Sequence, residues 1–254
     1  MSNTAQIKNG YIIHKVKINQ IRTAALRGYP LDDEDRMLLK MDQDSFIEYY
    51  TEKAVRDKIN FYLGMNKVYK RIVDVNGDPS SEGNTEENYF YFVPMNEEKS
   101  IICVGEITPL VDFVVRTDIK YIDMITHAPL HSWSNSVLSR IKNKYITPWI
   151  YEELMIFPFE SQLVPDYHVM TQDEIKKTFY DDNGKPFIKR SKMIAIKMDD
   201  PIVKFLRVSS GTIIRFIEEQ NYIPSLVGKR LSYRVVVPGT IFESSKRSSS
   251  EVLT

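Results

Sequence analysis

Between Tyr89 and Phe157, apolar runs of strand length alternate with longer stretches of helical spacing, and this alternation restricts the fold more than any single motif does. "YFYFVP" at 89–94 and "SIICV" at 100–104 read as strands, with "MNEEK" as the turn between them. "ITPLVDFVVRTDIK" reads as a helix with Pro109 in its first turn, where a missing N–H costs nothing. "YIDMIT" at 121–126 is the next strand, "WSNSVLSRIKNKYI" a helix, and "IYEELMIF" at 150–157 a strand again. Strands interleaved with helices in this way imply an α/β layer.

The chain enters that layer through helices. Lys15 to Arg27 keeps roughly helical spacing and Gly28 offers a left-handed stop. A second helix is expected near Asp33 to Met41, where acids suit the positive end of the helix dipole. A third is expected across "DSFIEYYTEKAVRDKINFYL", with Phe46, Ile47, Tyr50, Ala54 and Ile59 on one broad face. Residues 74–88, "DVNGDPSSEGNTEEN", are too polar and too rich in Gly, Pro, Ser and Asn to bury much surface, and read as an exposed insertion.

From residue 158 the pattern changes. "LVPDYHVM" is an extended lead-in to "TQDEIKKTF", a short helix in which Thr171 and Glu174 form a T-x-x-E capping box. "YDDNGKPFIKRSK" is a polar loop with a basic end, after which Asp200 caps a helix that has Pro201 at its first position. "TIIRFI" and "LSYRVVV" read as an antiparallel pair across the long loop "EEQNYIPSLVGKR". The expected fold is thus α+β / α/β: an N-terminal α/β domain over 1–157 with helices around a small sheet, then a small α+β domain over 158–240. A disordered tail is expected over 241–254.

Charge and residue chemistry narrow the function. Lysine plus arginine balance aspartate plus glutamate at 34 each, so no global field draws the chain to nucleic acid or an anionic membrane. No window has the roughly 18 consecutive apolar residues of a membrane span, and no secretory signal opens the chain. An intracellular, soluble protein is expected. The single cysteine, Cys103, excludes an internal disulfide and a cysteine-based zinc site, and its apolar neighbours make it a buried core residue rather than a nucleophile.

His127 and His131 stand four apart in "HAPLH", but Pro129 breaks the helix that would turn both toward one metal. Glu152 and Glu153 invite comparison with a metal-dependent nuclease, yet Met155 stands where an E-x-K lysine would be needed. The run Lys185, Lys189, Arg190, Lys192 and Lys197 could touch phosphates, or could simply be solvated. His168, with Asp166 as its only nearby carboxylate in sequence, reads as packing or capping rather than catalytic. No catalytic residue, metal or cofactor is expected.

Taken in order, "LVPDYHVMT", "DDPIVKF", "SSGTIIRFI" and "SYRVVV" resemble the fifth subunit shared by eukaryotic nuclear RNA polymerases, together with its smaller archaeal counterpart. The resembling positions are Leu163, Val164 and Pro165, then His168, Thr171 and Glu174, then Asp200 and Pro201, then Gly211, Ile213 and Ile214, then Tyr233 and Arg234. The N-terminal half is similar more loosely, through "RGYPLDDEDRMLL", "YFYFVP" and "YIDMITHAPLHSWSNSVL". The chain departs from the pattern at Arg207, where a glycine is usual, at Glu218 and Glu219, and in enlarged loops at 74–88, 181–192 and 218–230.

The resemblance implies a non-catalytic subunit of a multisubunit DNA-directed RNA polymerase, present in one copy. Its C-terminal domain would assemble on the largest subunit and, beside it, a neighbouring small subunit. Its N-terminal domain would be a jaw beside downstream duplex DNA, with Thr126, Ala128 and Pro129 near the duplex. The departures suggest a divergent lineage, viral or cellular, so the expected location is the nucleus, or the host cytoplasm and virion. The alternatives are a stand-alone nuclease-like enzyme and a free nucleic-acid-binding regulator.

Overall fold

A computed structural model of the chain describes residues 3–74, 82–96, 99–141, 143–156, 164–219 and 229–239, excepting the side chains of 3–9, 218, 219 and 229. The expected tail at 241–254, the tip of the 74–88 insertion and Leu163 lie outside the described residues. Two compact units separate after Ile156.

The first unit opens with α1, Asn3–Leu26, a helix far longer than the sequence predicts. The added length lies over residues 3–14, while the part that the sequence marks has a buried polar side. Lys17, Asn19, Gln20 and Thr23 are all buried beside Val16, Ile21 and Ala24, so no clean apolar stripe marks the helix. Each of these side chains has at least one internal partner, as burial demands, although Asn19 Oδ1 and Gln20 Nε2 make no hydrogen bond among the described residues. Lys17 Nζ donates to Gln20 Oε1 at 2.7 Å and to the Met65 carbonyl at 2.9 Å, and it lies over the Phe92 ring. Asn19 Nδ2 donates to the Leu154 carbonyl at 2.5 Å.

Helices α2 (Asp33–Leu38) and α3 (Gln43–Asp57) begin at Asp32 and Asp42, whose carboxylates accept from Asp35 and Ser45 backbone N–H groups. The expected third helix is in fact two. Lys58 adopts a left-handed conformation, φ 54°, that ends α3, and α4 (Phe61–Gly64) restarts at the Asn60 cap.

A four-stranded sheet follows, in the order β1 (Lys67–Val73), β2 (Asn84–Phe92), β3 (Tyr121–Thr126), β4 (Tyr145–Ile150). The β1–β2 pair is antiparallel and the other two pairs are parallel. Residues 84–88, expected in the exposed insertion, are strand, and Asn88 is fully buried. Their polar sequence is compatible with pairing because Glu86 lies opposite Arg71 and Glu87 opposite Lys70, with ion pairs of 2.8 and 2.6 Å.

Five further expectations are overturned by the structure. "SIICV" is not a strand: only Ile102 pairs, in an isolated bridge to Leu130, and exposed Cys103 begins α5 (Val104–Arg116), with Glu106 accepting from its N–H at 2.8 Å. Pro109 therefore lies inside α5, not in its first turn. Helix α6 (Ser132–Ser139) stops early because Tyr145 onward pairs with β3, and "YEELM" is not strand but α7 (Tyr151–Met155), with Glu153 accepting from Ile150 N–H at 3.0 Å.

Strand alternation gives the sheet two distinct faces. Tyr91, Ile122, Met124 and Ile146 pack with Ile107, Leu110 and Val114 of α5 and Leu138 of α6. The opposite face carries a polar centre. Asp123, fully buried, accepts from Arg27 Nη1 at 2.7 Å, Asn88 Nδ2 at 3.0 Å and Trp149 Nε1 at 2.7 Å. One carboxylate thus ties the residue after α1 to β2, β3 and β4.

The second unit is also built on a four-stranded sheet, in the order β5 (Asp166–Val169), β7 (Ile213–Glu219), β8 (Lys229–Val237), β6 (Ile194–Lys197). β7 pairs antiparallel with both β5 and β8, as the sequence predicts for β7 and β8, whereas β6 runs parallel to β8. The sequence pattern does not announce β6. Helix α8 (Gln172–Phe179) packs Ile175 and Phe179 with Ile213 and Tyr233, while α9 (Pro201–Leu206) packs Val203 with Ile214, Phe216 and Val236. The two helices therefore cover opposite faces. An α+β architecture with mixed sheets results.

Candidate functional site

The C-terminal motif positions converge on the β5–α8 junction and on the central strands. Thr171 is the N-cap of α8: its Oγ1 accepts from Glu174 N–H at 3.3 Å, and Glu174 returns to accept from Thr171 N–H at 2.8 Å. His168, on β5, supplies a further donor. Its Nε2 lies 3.0 and 3.1 Å from the two Glu174 oxygens, and since an ionised carboxylate can only accept, the imidazole donates. These bonds, the backbone N–H of Thr171 first and His168 next, hold the Glu174 carboxyl well below its ordinary value, at about 2. Asp166 is not its partner. The pairing with Glu174 escapes sequence reading because a strand and a cap intervene.

This cluster lies at the surface and fastens β5 to the start of α8. His168 also belongs to a row across the sheet, opposite Arg215, which is opposite Tyr233. Tyr233 meets Phe179 edge-on at 5.0 Å, and Arg234 lies over the Phe216 ring at 4.6 Å. The motif tyrosine and arginine thus pack on opposite faces. Asp200 accepts from Ile202 N–H at 2.9 Å and caps α9 with Pro201 at its start. Gly211, at φ 87°, turns the chain into β7 and donates to the Val236 carbonyl at 2.8 Å. Val164 and Pro165 are half-buried just before β5.

Arg207 also has a physical place. It is the left-handed C-cap of α9, φ 53°, donating to the Val203 carbonyl at 2.9 Å, and a glycine would take that backbone without strain.

Residues 158–236 match the family model described as RNA polymerase Rpb5, C-terminal domain. The C-terminal unit belongs to the Rpb5 family. Every motif position from Val164 to Arg234 falls inside the matched segment, and the match indicates an RNA polymerase subunit of a non-catalytic family. No curated protein matches the chain at significance.

In the first unit, the three positions near β3 have different surroundings. Thr126 is fully buried and its Oγ1 donates to the Trp149 carbonyl at 3.2 Å. Ala128 is buried, and Pro129 is exposed with its carbonyl accepting from Ile102 N–H at 2.9 Å. Beside them runs an open groove lined by Lys99, Ser100, His127, Pro129 and Glu152. The two histidines of "HAPLH" serve separate roles. His131 Nδ1 accepts from Trp133 N–H to cap α6, and His127 Nε2 lies 3.3 Å from the Lys99 carbonyl.

Proposed function

We propose that the chain is an assembly and jaw subunit of a multisubunit DNA-directed RNA polymerase, with the catalytic centre in another subunit. The observation that carries this reading is the family match over 158–236, within which Thr171 with Glu174 and Asp200 with Pro201 build the starts of α8 and α9. The C-terminal unit assembles on the largest subunit, beside a neighbouring small subunit, in one copy per enzyme. The N-terminal unit lies along downstream duplex DNA. Of Thr126, Ala128 and Pro129, the exposed Pro129 and its groove are what this unit offers to a duplex, while Thr126 holds β3 to β4. A polymerase of this kind works in the nucleus of a cell, or in the host cytoplasm and virion for a virus.

The test separates the two roles. Deleting residues 1–156 from the chain in its polymerase should leave incorporation intact and shorten the downstream edge of the footprint on a defined template. An unchanged footprint refutes the jaw role.

The nuclease alternative loses its premise at Glu152 and Glu153. Both lie in the first turn of α7 rather than on a strand, and Glu153 is engaged in the helix cap.

A further inference from the structure

One edge of the C-terminal sheet is unusual. β6 is an edge strand, paired on one side with β8, and it carries Ile194 at 62% exposure. A single 3-10 turn, Arg190–Lys192, leads into it from a loop that displays Phe187 at 68% and Ile188 at 47% exposure. Three large apolar side chains within this short stretch are thus left to solvent beside a strand edge that has no partner among the described residues.

The loop is held, not loose. Asp181 N–H donates to the Lys185 carbonyl at 3.0 Å, the Asp181 carboxylate accepts from Asn183 and Lys185 N–H groups, and Phe187 N–H donates to the Phe179 carbonyl at 2.7 Å. Tyr180 and Pro186 form a bridge that closes its base. Phe187 is therefore presented by a fixed backbone.

Between Asp181 and Asp182 on one side and Asp199 and Asp200 on the other, every charged residue from 185 to 197 is a cation. Lys185, Lys189, Arg190, Lys192 and Lys197 stand along this edge, and all five residues are exposed. Lysines alone would be a common way to keep a sheet edge from pairing. Lysines with Phe187, Ile188 and Ile194 are not, because exposed apolar side chains invite the contact that such lysines prevent.

We propose that the β6 edge and the 185–192 loop bind an extended, acidic segment of another polymerase subunit, which adds as a strand beside β6. Main-chain hydrogen bonds to the open edge give the pairing, alternate side chains of the segment meet Ile194 and Phe187, and its carboxylates meet the cations. A nucleic-acid strand would use the cations and Phe187 but leave the open backbone edge and the isoleucines without a role. The inference rests on the subunit reading and adds to it a surface and the chemistry of the partner.

The experiment uses the full tagged chain, free and within purified polymerase, with hydrogen–deuterium exchange resolved at 185–197. The expected result is exchange at 194–197 slowed about tenfold or more in the enzyme. A photo-crosslinking residue at Phe187 should link to a peptide rich in Asp and Glu, and Lys189→Glu with Arg190→Glu should reduce incorporation several-fold. Unchanged exchange in a chain that does incorporate overturns the inference and leaves the subunit reading standing. A chain that joins no polymerase overturns both. Two results with the free chain also overturn the inference: protection of 185–197 on adding single-stranded or duplex DNA, or by a concentration-dependent dimer.

Discussion

His168 on β5 donates to the Glu174 carboxylate at 3.0 Å, and the same carboxylate closes the cap of α8 on Thr171. A strand end and a helix start are thereby fastened through one acidic group. Its pH behaviour follows from the folded value of about 2 against an ordinary value of 4.5. Because the folded value is depressed, the stabilisation is fully present above pH 4.5 and is lost as pH falls toward 2. The protection of α8 amides relative to their intrinsic exchange rates should fall across that acid window, and Glu174→Gln should remove this pH dependence. His168→Ala should raise the Glu174 pKa, read by carboxyl NMR, without dissolving the cap, since the Thr171 backbone bond remains.

Asp123 is the polar centre of the first unit. Asp123→Ala removes the carboxylate that pairs with the buried Arg27 guanidinium and accepts from Trp149 N–H, so it should cost about 3–5 kcal/mol, measured by urea unfolding. A loss under about 1 kcal/mol would contradict the buried ion pair.

Lys17 gives the same unit a basic-side pH dependence. Burial lowers its pKa from 10.5 to about 7, with Asp35 and Glu34 pulling upward and Lys67 and Lys53 pulling down. Between those two values the unfolded chain binds more protons than the folded one, so stability should rise with pH from about 7 toward 10. Above that the trend reverses, because buried Tyr50 and Tyr69 have raised values and the unfolded tyrosines ionise first. Thermal melts of the Lys17→Met variant should lack the rise from pH 7.

Lys58 holds a left-handed conformation at an exposed helix end. Lys58→Gly relieves that strain and should stabilise the first unit by about 0.5–1 kcal/mol, checked by denaturant midpoint.

Local chemistry decides what can be read from sequence. Thr171 with Glu174, and Asp200 with Pro201, announce their helices because each cap is completed within a few residues. The β7–β8 pairing is legible from its apolar runs. What stays hidden depends on distant partners. Lys17, Asn19 and Gln20 look solvent-facing until their partners at Met65 and Leu154 are known. β1 and the polar start of β2 are strands because they pair with each other, and Cys103 is exposed because Glu106 starts a helix at it. The His168–Glu174 bond depends on the turn that brings β5 back against α8, which no spacing rule encodes.

The central claim is membership of a polymerase, and purification of the tagged native chain with quantitative mass spectrometry tests it most directly. The largest polymerase subunit and its small-subunit neighbours should co-purify in near-stoichiometric amounts, with incorporation reduced by Asp200→Ala. Recovery of the chain alone, or with a single unrelated partner, would contradict it.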